Sequence, residues 1–277
     1  MSADTLISVL LTNYNTIDFI KLNLYALQKL TQNKYRVLIN DNGSGKTDIA
    51  ELERIAKNND NVFVNFRKSG YNQASYAHAE ALDMLIGMVD TKYTVVLDSD
   101  CVFLRRGWDD LLINELNDEV KIVGTPMPKG RGGNKPYDFP LQFAVLFDTK
   151  TYKDLNITCK PRDIANGEDT CWEWKPKFTG KGFKGKVFTA NSTRDFKQGP
   201  FRDLICVEYY TSDNKLIASH FGRGSNDSTV KYNNKWFFRL PFVSRWVRKY
   251  FACREKTEWS SICRKIIGSE AAKARLQ

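Results

Sequence analysis

Asp98-Ser99-Asp100 is the stretch of this sequence best suited to chemistry, because it directly follows the apolar, β-branched run Tyr93–Leu97. Two carboxylates flanking one residue at the end of a buried strand offer hard oxygen ligands to a divalent cation. Mn2+ or Mg2+ held this way keeps coordination positions open for diphosphate oxygens. Other polar clusters stand where apolar runs end. Thr12-Asn13-Tyr14-Asn15 follows Leu6–Leu11, and Asn40-Asp41-Asn42-Gly43-Ser44-Gly45 follows Tyr35–Ile39. Glu168-Asp169 stands just before Trp172 and Trp174. His220, one of 2 histidines, closes the run Leu216–Ser219 ahead of Gly222-Arg223-Gly224-Ser225.

Two other chemistries fit less of the chain. Gly43-Ser44-Gly45-Lys46-Thr47 looks like the end of a phosphate loop, but that motif needs glycine at position 40, where asparagine stands. No Ser/His/Asp or Cys/His constellation is evident to supply a covalent nucleophile. The 6 cysteines are scattered without a CxxC pair. That pattern argues against a zinc ribbon or a disulfide framework and for a reducing compartment.

The elements that must position these residues are read from periodicity. Leu6–Leu11, Tyr35–Ile39, Val62–Asn65, Tyr93–Leu97, Val120–Gly124 and Leu141–Phe147 read as strands, and Ile17–Leu30, Asp48–Lys57 and Asn72–Val89 as helices. Strands alternating with helices predict an α/β fold, Rossmann-like, with a mostly parallel sheet flanked by helices. Right-handed crossovers then bring the turns after the strands to one edge, where such sheets bind ligands. Residues 126–140, a Gly/Pro/basic stretch, read as a lid, with Lys129, Arg131 and Lys135 suited to phosphates or an anionic acceptor. Two late strands, Ile205–Tyr210 and Leu216–Ser219, carry the chain to His220.

Charge divides the chain. Residues 226–277 hold 12 Lys/Arg against 4 Asp/Glu, whereas residues 1–225 hold 30 against 28. We expect a near-neutral domain over 1–225 and a basic helical C-terminal extension over 226–277. The extension carries nine aromatics, from Tyr232 to Trp259. On a helical wheel Pro241–Phe251 separates an aromatic face from a basic one. Such a helix could dock on the domain, lie on an anionic membrane or track nucleic-acid phosphates. No apolar run is long enough to span a bilayer. No basic segment with an apolar h-region precedes Leu6, so a cleaved signal peptide is not expected. The expected location is cytoplasmic, with peripheral membrane contact as an option.

The ordered series resembles the family 2 glycosyltransferases of the GT-A fold. It runs from Ile7–Thr12 with Asn13-Tyr14-Asn15, through Asp41-Asn42-Gly43-Ser44, Arg67 with Gly70 and Asn72, and Asp98-Ser99-Asp100, to Glu168-Asp169 and then His220 with Gly222, Gly224 and Ser225. The resemblance covers about residues 5–225. It implies an inverting, metal-dependent transfer from a nucleotide sugar, a UDP-sugar by preference, to an acceptor hydroxyl. The implied acceptor is a cell-surface or lipid-linked glycan. The same chemistry on a hydroxylated base of viral or phage-type DNA is the alternative, and a degenerate sugar-nucleotide-binding module is the non-enzymatic one.

The resemblance also implies roles. Thr12, Asn13 and Tyr14 line the nucleotide pocket, Asp41 accepts from the base, and Arg67 lies near the base or diphosphate. Asp98 and Ser99 contact the donor, while Asp100, Asp98 and His220 hold Mn2+ or Mg2+. Asp169 is the general base with Glu168 beside it. In many relatives the helix after the Gly-Asn pair carries an Arg-Asn or similar pair, whereas here Ala77-His78-Ala79 stands, and His78 reads as structural.

Overall fold

The computed structural model describes residues 5–131, 134–222 and 243–273, with the side chains of 243–249 and 251 left out. Gly132-Gly133 of the expected lid, the turn residues Arg223, Gly224 and Ser225, and the aromatics Tyr232, Trp236, Phe237, Phe238 and Phe242 lie outside the described residues.

The main sheet is built from β1 (Ile7–Asn13), β2 (Tyr35–Asp41), β3 (Val62–Phe66), β4 (Tyr93–Leu97), β6 (Val120–Gly124), β7 (Ala144–Asp148) and β8 (Lys184–Val187). Their order is β3-β2-β1-β4-β7-β6-β8. The first four strands are parallel, and β7 runs antiparallel to both β4 and β6. The continuous apolar runs form these strands because both faces are covered. One face carries Val9, Leu11, Val37, Ile39, Val95 and Leu97 against α1 (Ile17–Leu30) and α2 (Lys46–Lys57). The other carries Leu10, Leu38, Val96 and Phe147 against α3 (Ala74–Gly87), α5 (Thr149–Asp154) and α6 (Trp174–Thr179). Trp174 belongs to this second core. It is buried, and its indole N–H donates to Tyr152 Oη at 3.0 Å.

The chain then adds a second sheet that the alternating pattern does not predict. It is antiparallel, in the order β5-β11-β10-β9, from β5 (Cys101–Phe103), β9 (Thr189–Ser192), β10 (Val207–Tyr210) and β11 (Leu216–His220). Strand β5 begins one residue after Asp98-Ser99-Asp100 closes, and it pairs His220 with Cys101. Pairing of β5 with β11 is therefore what carries His220 to the acidic tripeptide. Helix α4 (Trp108–Glu115) follows β5.

Helix α7 (Val243–Lys273) covers this junction. Trp259, Cys263 and Ile267, spaced by four, are all buried in the first core. The Trp259 ring lies 5.7 Å from Phe19 and 5.6 Å from Phe221, and its N–H donates to Ser219 Oγ at 2.9 Å. Lys256 extends the contact, pairing with Asp18 at 3.1 Å. The aromatic and basic faces expected over Pro241–Phe251 belong to side chains that are not described, apart from Tyr250, which is exposed. No helix among the described residues is long and apolar enough to cross a membrane.

Candidate active site

The ends of β1 and β4, the start of α3 and the end of β11 meet around a cleft of about 910 Å³. Of the residues singled out from the sequence, Thr12, Asn13, Tyr14, Asp98, Ser99, Asp100, Asp169 and His220 line it. Asp41, Arg67 and Glu168 do not, and each has a physical reason.

Asp41 is buried and spent on local structure. Its Oδ1 accepts from Gly43 N (3.0 Å) and Ser44 N (2.9 Å), and its Oδ2 accepts from Asn13 Nδ2 at 2.8 Å. This is an Asx turn, and Gly43 completes it at φ +87°, a region costly for other residues. Asn13 works on the same joint. Its Nδ2 also donates to Ser44 Oγ (3.0 Å), and its Oδ1 accepts from Thr16 N and Oγ1. Thr12, Tyr14, Asn42 and Gly43 therefore present this corner to the cleft. Arg67 turns away and pairs with Glu80 on α3 at 3.0 Å, leaving Lys68 at the cleft wall. Glu168 folds back on its own loop, where its Oε2 accepts from the backbone N–H groups of Arg162 (2.6 Å) and Asp163 (2.9 Å).

Asp98, Asp100 and His220 converge, their candidate ligand atoms all within 4.8 Å of one another. His220 Nε2 lies 3.2 Å from Asp100 Oδ1 and 3.9 Å from Asp98 Oδ2. Backbone bonds fix the turn: Asp98 N donates to Phe143 O, Cys101 N to Asp98 O and Phe221 N to Asp100 O. Burial pushes the Asp98 carboxyl well above the usual carboxylate range, and the nearby charge of Asp100 adds to the rise. Asp98 Oδ1 is buried without a hydrogen-bond partner among the described residues. An orphaned buried oxygen, a second carboxylate and an imidazole suit a hard or borderline divalent cation. The donor set therefore fits Mn2+ or Mg2+.

Of three further neighbours of this centre, the sequence reading missed Ser75 and gave His78 and Lys135 other roles. His78, expected to be structural, lines the cleft with Nε2 3.6 Å from Asp98 Oδ1. Burial pushes its imidazole down to about 4, against the pull of Asp169 and Asp100, so it stands neutral. The other two, Ser75 and Lys135, surround Asp169. Ser75 Oγ donates to Asp169 Oδ1 at 2.6 Å, Thr170 N to the same oxygen at 2.8 Å, and Lys135 Nζ sits 2.6 Å from Oδ2. Burial alone would push this carboxyl up. The charge and hydrogen bond of Lys135, with Ser75 and Thr170 N, outweigh burial and hold it below its usual range. The paucity of histidines was a signal for His78, and Lys135 was expected in the lid as a partner for phosphates or an anionic acceptor rather than for Asp169, but nothing local pointed to Ser75.

Residues 8–175 match the family model described as glycosyl transferase family 2. No curated protein matches the chain. Among solved structures, the mannosyltransferase PcManGT from Pyrobaculum calidifontis, in complex with GDP-Man and Mn2+, superposes with TM-score 0.53 at 14% identity, over 66% of this chain and 54% of that one. S. aureus TarS superposes with TM-score 0.50 at 16% identity, over 67% of this chain and 35% of that one. The chain thus spans about half of the first relative and about a third of the second. At such identities the likeness is one of fold, and the family match covers well over half of the chain. The chain belongs to glycosyl transferase family 2 and, with its mostly parallel sheet, has a GT-A-like fold.

Proposed function

We propose that this protein transfers a sugar from a nucleoside diphosphate sugar to an acceptor hydroxyl, with a divalent cation and with inversion at the anomeric carbon. The observation that carries this reading is the single cleft lined by both the Asp98/Asp100/His220 cluster and Asp169. Asp98, Asp100 and His220 would hold Mn2+ or Mg2+. When bound, the cation would supply Lewis-acid neutralisation of the leaving diphosphate. Thr12, Tyr14 and Asn42 would line the nucleotide subsite. Asp169, ionised at neutral pH, would accept the hydroxyl proton. The acceptor oxygen then bonds to the anomeric carbon as the bond to the diphosphate breaks. One displacement inverts the centre and needs no covalent nucleophile.

UDP-sugars are the preferred donors in this reading, and GDP-sugars are the comparison. The acceptor hydroxyl belongs to a glycan, lipid-linked or at the cell surface. Within the extension of residues 226–277, helix α7 completes the domain, a role supported by the buried Trp259. The test is nucleotide release across UDP- and GDP-sugars with Mn2+ or Mg2+, using wild type and Asp100→Ala. Metal-dependent release by wild type, lost in Asp100→Ala at unchanged circular dichroism, supports the reading. Full activity in excess chelator, or none with any donor, refutes it.

A further inference from the structure

Asp169 is held more firmly than orientation requires. Ser75 Oγ and Thr170 N already fix Oδ1, and Thr170 Oγ1 returns a bond to Ser75 O at 3.0 Å. The Lys135 ammonium on Oδ2 adds charge to a carboxylate that is already oriented. Both partners are partly buried, their side chains 26% and 29% exposed. Asp169 is the one carboxylate that pairs with Lys135 among the described residues.

Proton transfer exposes the difficulty in this arrangement. As the acceptor oxygen bonds to the anomeric carbon and the bond to diphosphate breaks, the hydroxyl proton moves to Asp169 and cancels its charge. Lys135 would then lose its one directly paired carboxylate and keep only the longer-range pull of Asp98, a costly state for a partly buried ammonium. Before transfer the same ammonium opposes protonation of the base it contacts. Both problems vanish if a second anion takes Lys135 as the acceptor arrives. A further cation lies beside a lining residue: Lys160 Nζ is 5.4 Å from the ring of Tyr71, which lines the cleft and stacks on Tyr76, the neighbour of Ser75.

We propose that the acceptor carries a phosphate or carboxylate beside the hydroxyl that is glycosylated, and that Lys135 exchanges Asp169 for this anion when the acceptor binds. The proposal rests on the glycosyl-transfer reading. It makes Lys135 a specificity residue for anionic acceptors and Ser75 the residue that keeps Asp169 aimed during the exchange.

The test uses hydrolysis of the nucleotide sugar, in which water replaces the acceptor, at fixed free Mn2+ and with inorganic phosphate as the probe anion. Wild-type hydrolysis should rise about three- to tenfold with phosphate, a small part of what a general base contributes. Lys135→Met should hydrolyse at the raised rate without phosphate and show no response, while Lys135→Arg should respond like wild type. A wild type that ignores phosphate would mean that the donor's own diphosphate already holds Lys135, and would overturn the proposal. So would an equal response in Lys135→Met. Matched acceptors, glycerol and glycerol 3-phosphate, add a second arm: the preference for the charged member should collapse in Lys135→Met, and an unchanged preference counts against the exchange. Absence of hydrolysis and transfer with every donor would instead overturn the glycosyl-transfer reading itself.

Discussion

Replacing Trp259 tests whether the C-terminal helix is part of the domain or an appendage to it. The side chain is fully buried, with Phe221, Phe19 and Phe201 rings at 5.6, 5.7 and 6.3 Å. Truncating a packed aromatic to alanine costs roughly 3–5 kcal/mol through lost contact and the cavity left behind. In a chain slightly above 250 residues each kcal/mol lowers Tm by about 2–4 °C, so Trp259→Ala should melt roughly 6–20 °C early. Trp259→Phe keeps most of the ring but removes the N–H donated to Ser219, which alone is worth about 1 kcal/mol. It should fall between wild type and the alanine variant. Because Ser219 and Phe221 flank His220, both variants should also bind Mn2+ more weakly when titrated by electron paramagnetic resonance. Differential scanning calorimetry supplies the first readout. A Trp259→Ala melt within about 2 °C of wild type would refute the packing account, because a buried indole cannot be removed that cheaply.

The remaining predictions concern single carboxylates and one arginine. Asp169→Asn should cut transfer roughly 100-fold or more while donor affinity by calorimetry persists; the result that sinks the assignment is a crippled Glu168→Gln beside a mild Asp169→Asn. Arg67→Ala should leave nucleotide affinity nearly unchanged, because Glu80 holds that guanidinium, and a large loss on titration would show that Arg67 re-enters the cleft. Burial pushes Glu208 above the usual carboxylate range, against hydrogen bonds from Tyr210 Oη and Phe201 N. Its proton therefore stabilises the fold below the unfolded pKa, and that contribution is lost as pH rises through the raised value. Glu208→Gln should accordingly gain Tm relative to wild type as pH rises above the ordinary glutamate range, and a gap that shrinks as pH rises contradicts the sign.

The elements that periodicity governs were legible in the sequence. The runs around β1, β2, β3, β4, β6, α1, α2 and α3 lie where the apolar pattern put them, because strands buried on both faces and amphipathic helices leave local signatures. The acidic tripeptide and His220 were legible for the same reason, as polar residues closing strands. What escaped depends on partners distant in sequence. Asp41 reads the same whether its carboxylate faces a ligand or caps its own turn, and only the third dimension shows the turn. Glu168 and Asp169 are adjacent, yet one braces a loop and the other faces the cleft. Lys135 meets Asp169 across a connection with no periodicity. The docking stripe of α7 also lies further along, at Trp259, Cys263 and Ile267, than the segment whose helical wheel drew attention.

The closure of α7 over the β5–β11 junction has a consequence for biogenesis. Asp100 and His220 meet across 120 residues of sequence, and Lys256 reaches Asp18 across 238. Synthesis runs from the N-terminus at about 5–20 residues per second, so the roughly 40 residues between Ser219 and Trp259 take about 2–8 s to appear. During that interval the nascent domain can complete its main sheet while the Phe19 and Phe221 rings still lack their cover. Such late, long-range capping is the slow kind of folding step and leaves aromatic surface open to chaperones or to neighbouring chains. A ribosome stalled before Trp259 should therefore hold a chain with a formed Rossmann-like sheet and an adhesive aromatic patch, and release of the last helix should be the event that covers the patch and fixes the strand end carrying His220.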